Sequence, residues 1–260
     1  MNKFLLKVLV LVSVNIAVFA DAQFRTRNRM DNLEDFDQQA FSWGFYLNGN
    51  SLDYRIVLNP RYGARDNQNL VTSKPSYSFG AGLIGKWRLS DYLDLRLEPG
   101  LQFAQRQVTF NTQANDIYQN GSLTNPPFFP IALAEKDRVR DIKSTLVDIP
   151  VLLEFHGDRW YNSRPYIAGG VNYIVNLQSN SDSEDDNQQQ VFRSTTHNFA
   201  WSAEMGIQFY FNKFKLTPAV RGTFFMNNEI VADNPTTPPY WTAAVSTLQT
   251  RAIMFILKFE

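Results

Sequence analysis

Residues 93–103, LDLRLEPGLQF, alternate between apolar and polar side chains along their whole length. The odd-numbered positions hold Leu, Leu, Leu, Pro, Leu and Phe, and the even-numbered positions hold Asp, Arg, Glu, Gly and Gln. Alternation with a period of two is typical of a β-strand with two unlike faces. Several other stretches repeat the pattern, and no amphipathic helix of useful length lies between them. The chain therefore has more apolar strand surface than its remaining residues could cover.

Eight stretches with this alternation follow the N-terminal segment, and we interpret each as a strand. Gly49 and Asn50 suggest a bulge in the first strand. The eighth strand is the least clear, because Met254 and Ile256 make its second face apolar as well. The eight stretches cover residues 42–50, 77–89, 93–110, 144–155, 165–177, 198–211, 214–226 and 251–259.

The connections between these strands alternate strictly between short and long, and the long ones cover about residues 55–75, 111–143, 178–196 and 227–247. Bacterial outer-membrane barrels have this asymmetry, with short periplasmic turns, long outer loops and an even number of strands. We therefore predict an all-β fold: an eight-stranded antiparallel up-and-down transmembrane β-barrel over residues 41–260, with both termini in the periplasm. A soluble β-sandwich is the rival architecture, but it would not explain the alternating connections.

The first 22 residues have the pattern of a secretory signal peptide. Lys3 and Lys7 begin the segment, an apolar stretch follows, and Ala20-Asp21-Ala22 supplies a small-x-small cleavage pattern. An N-terminal membrane anchor is the alternative, but the apolar stretch is short for a spanning helix. Residues 23–40 then form a predicted periplasmic segment with mixed charges, interpreted as a mobile terminus.

Composition excludes several classes of function. Residues 1–22 contain two of the 25 basic and one of the 25 acidic side chains, so the remainder is close to neutral. A neutral chain lacks the basic surface that nucleic acid binding requires. There is no cysteine, which excludes disulfides, thiolate metal sites and cysteine nucleophiles. We expect no cofactor.

Charged side chains lie on the strand face opposite the apolar one and should point into the lumen. The interior of an eight-stranded barrel is just wide enough for side chains to fill it. Buried charges of mixed sign must then pair, so we predict an ion-pair plug with Arg–carboxylate contacts between neighbouring strands. A proton or conduction path is the functional alternative. The predicted lumen cluster comprises Arg96, Glu98, Arg106, Asp148, Glu154, Glu204 and Arg221.

The two histidines are the main candidates for chemistry. His156 directly follows the fourth strand, and His197 directly precedes the sixth. A Ser–His–acid relay can be drawn around His197 with Ser194, Ser202 and Glu204, as in a lipid-modifying enzyme. No motif supports the relay, and an exposed rim histidine is the commoner case, so we expect a protein that is not an enzyme.

Two of the long connections carry possible contact sites. Residues 179–190, SNSDSEDDNQQQ, could hold calcium or bridge to lipopolysaccharide through divalent ions, although a solvated loop is the simpler interpretation. Residues 235–241, PTTPPYW, present Tyr240 and Trp241 as a possible partner-contact loop. Packing of these two rings over the barrel mouth is an equally good explanation.

The stretches LRLEPGLQFAQR (95–106), VDIPVLLEF (147–155) and YIAGGVN (166–172) resemble the outer-membrane β-barrel family common in Bacteroidetes. A narrower resemblance to the PorT family of the type IX secretion system lies in longer stretches. These are FSWGFYLNGN (41–50), VFRSTTHNFAWSAEMGIQFYF (191–211), FKLTPAVRGTFFMNNEIVADN (214–234) and LQTRAIMFILKFE (248–260). One departure is the final residue, which is Glu260 where the family has an aromatic residue.

The resemblance implies a non-enzymatic accessory protein needed for export of cargo with a C-terminal sorting domain. Its partners would be outer-membrane lipid, a larger translocon and periplasmic ring or shuttle proteins. Such proteins have been described as translocating porins, which disagrees with the filled interior expected for eight strands. A general structural or adhesive barrel remains an alternative, and the family implies no catalytic or ligand-binding residues.

Overall fold

The computed structural model describes residues 32–60, 64–65, 68–69, 71–110, 138–183, 192–231, 242 and 244–260. The described residues from Leu33 onwards form one compact unit. The predicted signal peptide lies outside the described residues. Among those residues, we find no helix with the length and apolar character needed to cross a membrane.

Antiparallel strands account for most of the described chain, preceded by a short 3₁₀ turn, Phe36–Gln38. The strands are β1 (Phe41–Leu58), β2 (Ala64–Arg65), β3 (Gln68–Asn69), β4 (Val71–Lys74), β5 (Ser76–Arg88), β6 (Leu93–Leu97), β7 (Gly100–Phe110), β8 (Val139–His156), β9 (Ser163–Asn176), β10 (His197–Tyr210), β11 (Lys215–Phe225) and β12 (Val245–Phe259).

Ten of these strands form one sheet that closes on itself. The last strand, β12, pairs with β1 from Phe45–Phe259 onwards, and β1 pairs on its other side with β5. In the ring, β4 and β5 occupy one position and β6 and β7 occupy the next, because β7 pairs with both β4 and β5. The ring therefore has eight positions, and the predicted eight-stranded antiparallel barrel is confirmed. Because the last strand pairs with the first, the sheet has no terminal edge strand.

Several strand boundaries differ from the prediction. The strands β1, β8 and β12 are longer than expected, because at these ends the inward positions carry apolar side chains such as Leu52, Tyr54 and Leu248, and the outward apolar face that marks the rest is missing. The expected bulge at Gly49 and Asn50 is wrong: β1 pairs in continuous register there and shifts at Val57/Leu58 instead. The predicted third strand is divided at Glu98 and Pro99, since proline has no N–H for the sheet.

The outer face of the ring is apolar and the inner face is mainly polar. Exposed outward side chains include Leu83, Ile167, Met205 and Ile253. An apolar outer band with a polar interior is the arrangement of a transmembrane β-barrel. Met254 and Ile256, which made the eighth strand ambiguous, are buried inside the barrel. We call the end with connections 89–92, 157–162 and 211–214 the short-turn end, and the other the long-connection end.

Candidate functional site in the barrel interior

A network of six charged side chains crosses the middle of the barrel. Its members come from five strands and from the break between β6 and β7. Inward side chains from all round the ring meet at the barrel axis. Each of the six is at most 4 % exposed. The members of this central network are Arg96, Glu98, Glu154, Glu204, Arg221 and Lys258.

Arg96 on β6 links three carboxylates of the central network. Its Nη2 lies 2.5 Å from Glu98 Oε1 and 2.7 Å from Glu204 Oε1. Its Nη1 donates to Glu154 on the neighbouring strand β8. Gln208 Nε2 donates to the second oxygen of Glu154 at 2.6 Å. The guanidinium therefore joins side chains on both sides of the lumen.

Glu204 on β10 is the centre of the network. Arg221, directly opposite it on β11, donates through Nε to Glu204 Oε2 at 2.7 Å. Lys258 Nζ lies 2.5 Å from Glu204 Oε1 and 2.9 Å from Glu98 Oε1. Tyr166 donates its hydroxyl to Glu204 Oε1 at 2.7 Å. Three acids and three bases balance, which is the condition for burying charges at this depth.

Two tyrosine rings inside the barrel fit only because the residue paired with each tyrosine on the neighbouring strand is a glycine. A Cβ at Gly206 would lie 2.8 Å from the Tyr166 ring, and a Cβ at Gly82 would lie 2.5 Å from the Tyr46 ring. Both distances are far inside ordinary van der Waals contact. The glycines thus leave room for the rings, and the ring of Tyr166 carries the hydroxyl that reaches Glu204.

An amide layer lies above the central network, towards the long-connection end. Asn48 and Asn50 donate to Gln102 Oε1 at 2.9 and 3.1 Å. Asn172 donates to Asp148 Oδ1 at 2.8 Å. Asp148, Gln102 and apolar neighbours line a space of about 10 Å³. That volume is about the size of one water position, so this space is too small to serve as an aqueous path.

A third layer fills the barrel where β1, β7, β8 and β12 extend towards the long-connection end. Arg106 donates to Ser144 Oγ at 2.7 Å and lies 3.6 Å from Glu229, and its guanidinium stacks 4.3 Å from the centre of the Tyr54 ring. Burial raises the pKa of Glu229, and the Arg106 charge opposes that rise. The surrounding buried side chains are Val71, Val108, Phe110, Ile142, Ala244, Val245 and Leu248.

The short-turn end holds a separate set of buried charges. The Asp94 carboxylate lies 3.3 Å from Lys86 Nζ and 3.2 Å from His156 Nε2. Lys215, also buried, contacts the Glu260 carboxylate. His156 therefore points into the barrel, where it holds Asp94 in place together with Lys86.

The end of the N-terminal segment packs against the short-turn end, which we call the mouth of the barrel. Tyr210 donates its hydroxyl to Asp37 at 2.9 Å, and Arg164 Nη1 lies 3.5 Å from the same carboxylate. Lys215 Nζ lies 4.9 Å from the centre of the Phe36 ring. These contacts join residues 33–40, which we call the mouth segment, to the barrel, and they leave Phe36 and Asp37 half-buried. Residues 23–31 lie outside the described residues.

Comparison with known proteins agrees with this architecture. A sequence profile for the outer membrane protein beta-barrel domain matches residues 21–231. The chain belongs to this outer-membrane β-barrel family. No curated protein matches the chain.

Several solved outer-membrane structures are similar to this family member. The outer membrane protein OprG from Pseudomonas aeruginosa shares 14% identity with a TM-score of 0.41, covering 85% of this chain and 95% of that one. The outer membrane protein AlkL, solved in lipid bilayers, shares 14% identity with a TM-score of 0.41 over 91% and 92%. Neisserial surface protein A shares 10% identity with a TM-score of 0.37 over 85% and 98%.

The structure places all seven predicted lumen residues of this outer-membrane barrel inside the ring. Five of them belong to the central network, whereas Arg106 and Asp148 lie in the two layers above it. Arg96–Glu154 and Arg221–Glu204 join neighbouring strands as expected, but Arg96–Glu204 and Arg221–Glu98 cross the lumen. Which charges meet across the axis depends on strand register and tilt, which the sequence does not show.

Lys258 is a member of the network that the sequence pattern did not single out. Lys258 alternates with Ile256 and Met254 on the inner face of β12, so its charge was hidden among apolar residues. The period-two pattern counted back from Phe259 would have identified it, because outward Phe259, Leu257 and Phe255 leave Lys258 facing inward.

The relay around His197 is not assembled. His197 is exposed, and its Nδ1 lies 2.7 Å from the Tyr173 hydroxyl. Ser194, Ser202 and Glu204 are all buried. Glu204 is also held by Arg96, Arg221 and Lys258, so its carboxylate is engaged away from the histidine.

Two predicted contact sites fall outside the described residues. Tyr240 and Trp241 lie in the range 232–241, and most of the acidic run 179–190 lies in the range 184–191. In the described part of the chain, no group of three or more His, Asp or Glu side chains is placed to hold a metal ion.

Proposed function

We propose that this chain is a non-enzymatic outer-membrane barrel required for protein export by the type IX secretion system, with a role like that of PorT. It acts as an accessory or assembly factor beside a larger translocon, and it is not itself the conducting channel. The sequence stretches that resemble the PorT family, above all KLTPAVRG (215–222) and NNEIV (227–231), support this assignment.

The filled lumen is the observation that carries the accessory role. Opening a path for an exported chain would separate the buried partners of the central network, and breaking one buried pair costs about 3–5 kcal/mol. Glu204 alone has three charged partners. The amide layer and the layer around Arg106 would have to open as well. Contacts on the outside of the barrel or at its rims are therefore the available means of action.

The proposed topology places both termini and the short-turn end in the periplasm. The mouth segment would then continue into residues 23–31 on the side where periplasmic ring or shuttle proteins are found. The long connections, including Tyr240 and Trp241, would face the exterior. The proposed partners are outer-membrane lipid and other secretion components, with no nucleic acid.

Deletion of the gene tests the export role. Surface and medium levels of a cargo with a C-terminal sorting domain should fall, with precursor retained in the periplasm, and the wild-type gene should restore them. Normal export in the deletion strain would overturn the proposal and leave a structural or adhesive barrel.

Purified protein in planar bilayers should show no ion conductance steps, and stable conductance would contradict the accessory role specifically.

A further inference from the structure

A groove lies on the outer face of the barrel wall near the long-connection end. Its volume is about 250 Å³, and it crosses β7 and β8 to reach the end of β9. Phe103, Gln105 and Lys143 are all exposed. The lining side chains are Ser78, Phe103, Ala104, Gln105, Lys143, Ser144, Thr145 and Gln178.

The groove lies at the level where the apolar outer band ends. On β7 the outward sequence changes from Leu101 and Phe103 to Gln105. On β8 the outward side chains change from Val147 to Thr145 and then Lys143. Because these strands run side by side, with Phe103 opposite Thr145 and Gln105 opposite Lys143, the boundary is continuous. Lipid headgroups occupy this level of a membrane barrel.

The pairing of the wall is interrupted beside the groove. β5 pairs with β7 from Gly80–Gln102 to Gly82–Gly100, and β4 pairs with β7 again from Lys74–Gln107. Residues 75–79 and 103–106 lie between these paired regions. The Phe79 and Phe103 rings bridge this interval on the outer face, with centroids 4.9 Å apart. Ser78, which lines the groove, lies in the part of β5 that does not pair with β7.

The chemistry of the groove matches an amphiphile with an anionic head. Lys143 supplies a positive charge, and Gln105, Gln178 and Ser78 supply neutral hydrogen-bond donors. Phe103 and Phe79 lie directly below, at the level of acyl chains. Asp141, the nearest acid on the same face of β8, accepts a hydrogen bond from Gln107 at 2.9 Å. That hydrogen bond holds the Asp141 carboxylate beside Gln107.

We propose that this groove binds the phosphate of a phosphorylated glycolipid of the outer leaflet, with Lys143 as the charged contact. The acyl chains lie along Phe103 and Phe79. The site depends on the topology proposed above, since it meets the outer leaflet only if the long connections face the exterior. It would fix the barrel to that leaflet at one side of its wall.

Competitive lipid binding in detergent micelles tests the site. The full chain is incubated with bis-phosphorylated lipid A or with the same lipid after enzymatic removal of its phosphates, and bound lipid is counted by native mass spectrometry. We expect the phosphorylated form to be retained preferentially. Lys143→Gln should reduce its retention about fivefold, the effect of one cation near a headgroup.

Lys213→Gln is the matched control, because Lys213 is an exposed lysine at the short-turn end. It should leave retention unchanged. Equal retention of both lipid forms, or equal loss in both variants, would overturn the site. Loss of the bound lipid in excess inorganic phosphate would show a simple anion site and contradict a lipid-specific one. The assay does not depend on orientation in a cell, so a failure here leaves the proposed topology and export role standing.

Discussion

At the scale of single residues, Glu204 shows what a buried charge requires. Its two oxygens contact Arg221, Arg96, Lys258 and Tyr166, so no ionised oxygen is left without a donor. A buried carboxylate without such partners would be too costly to keep ionised. Arg221 and Tyr166 lie on the two strands that pair with β10, whereas Arg96 and Lys258 come from strands that do not, so the full set of partners requires the folded ring.

Glu204→Gln should lower the free energy of unfolding by about 3–5 kcal/mol, because it leaves a buried excess of positive charge. Urea unfolding of the barrel in lipid vesicles measures the change. Glu34→Gln is the control, since Glu34 is exposed and should leave stability almost unchanged. A similar small effect for both variants would show that the central network contributes little to stability.

At the scale of elements, each strand has one face for lipid and one for the lumen. Val171 is exposed at the centre of β9, between Val151 on β8 and Trp201 on β10. Leu177 lies just past the end of the same strand and is also exposed. If the outer band contacts acyl chains, the two positions differ in depth although their side chains are both apolar.

Val171→Arg should destabilise the barrel by about 2–4 kcal/mol, whereas Leu177→Arg should cost at most about 1 kcal/mol. The cost of a charge on the lipid face rises with depth, since only side chains near the rim reach headgroups and water. The same vesicle unfolding assay separates the two. Equal costs at both positions would contradict the assignment of β9 to the membrane.

At the scale of the whole molecule, the ring is a closed wall around three filled layers and a mouth segment. Its two ends are unlike: one has turns of a few residues, and the other has the long connections. The absence of cysteine allows each end to be labelled through a single introduced thiol. This gives a direct test of the proposed topology.

In intact cells, Asp182→Cys should react with a membrane-impermeant maleimide, and Lys213→Cys should react only after the outer membrane is permeabilised. Both positions are exposed, at the long-connection and short-turn ends respectively. The unmodified chain is the control for background labelling. The opposite pattern would invert the topology and place the long connections in the periplasm.

Sequence alone determined the fold class and the facing of most side chains. Leu95 and Arg96 point to opposite sides of the wall because side chains in a strand alternate, and this rule needs no knowledge of neighbours. The all-β barrel with alternating connections, and the seven charged side chains assigned to the lumen, follow from that local rule. Where the apolar side chains change from the outward to the inward face, as after Ser51 in β1, the search for an outward apolar face missed the end of the strand.

Only the tertiary structure decided which side chains meet. Arg221 lies opposite Glu204 through strand register, and it also reaches Glu98, 123 residues earlier, across the lumen. Asp37 docks on Tyr210 although 173 residues separate them. The groove at Lys143 lies beside an interruption of pairing between β5 and β7. Such contacts depend on the shear and closure of the ring, which all strands set together and no single stretch of sequence encodes.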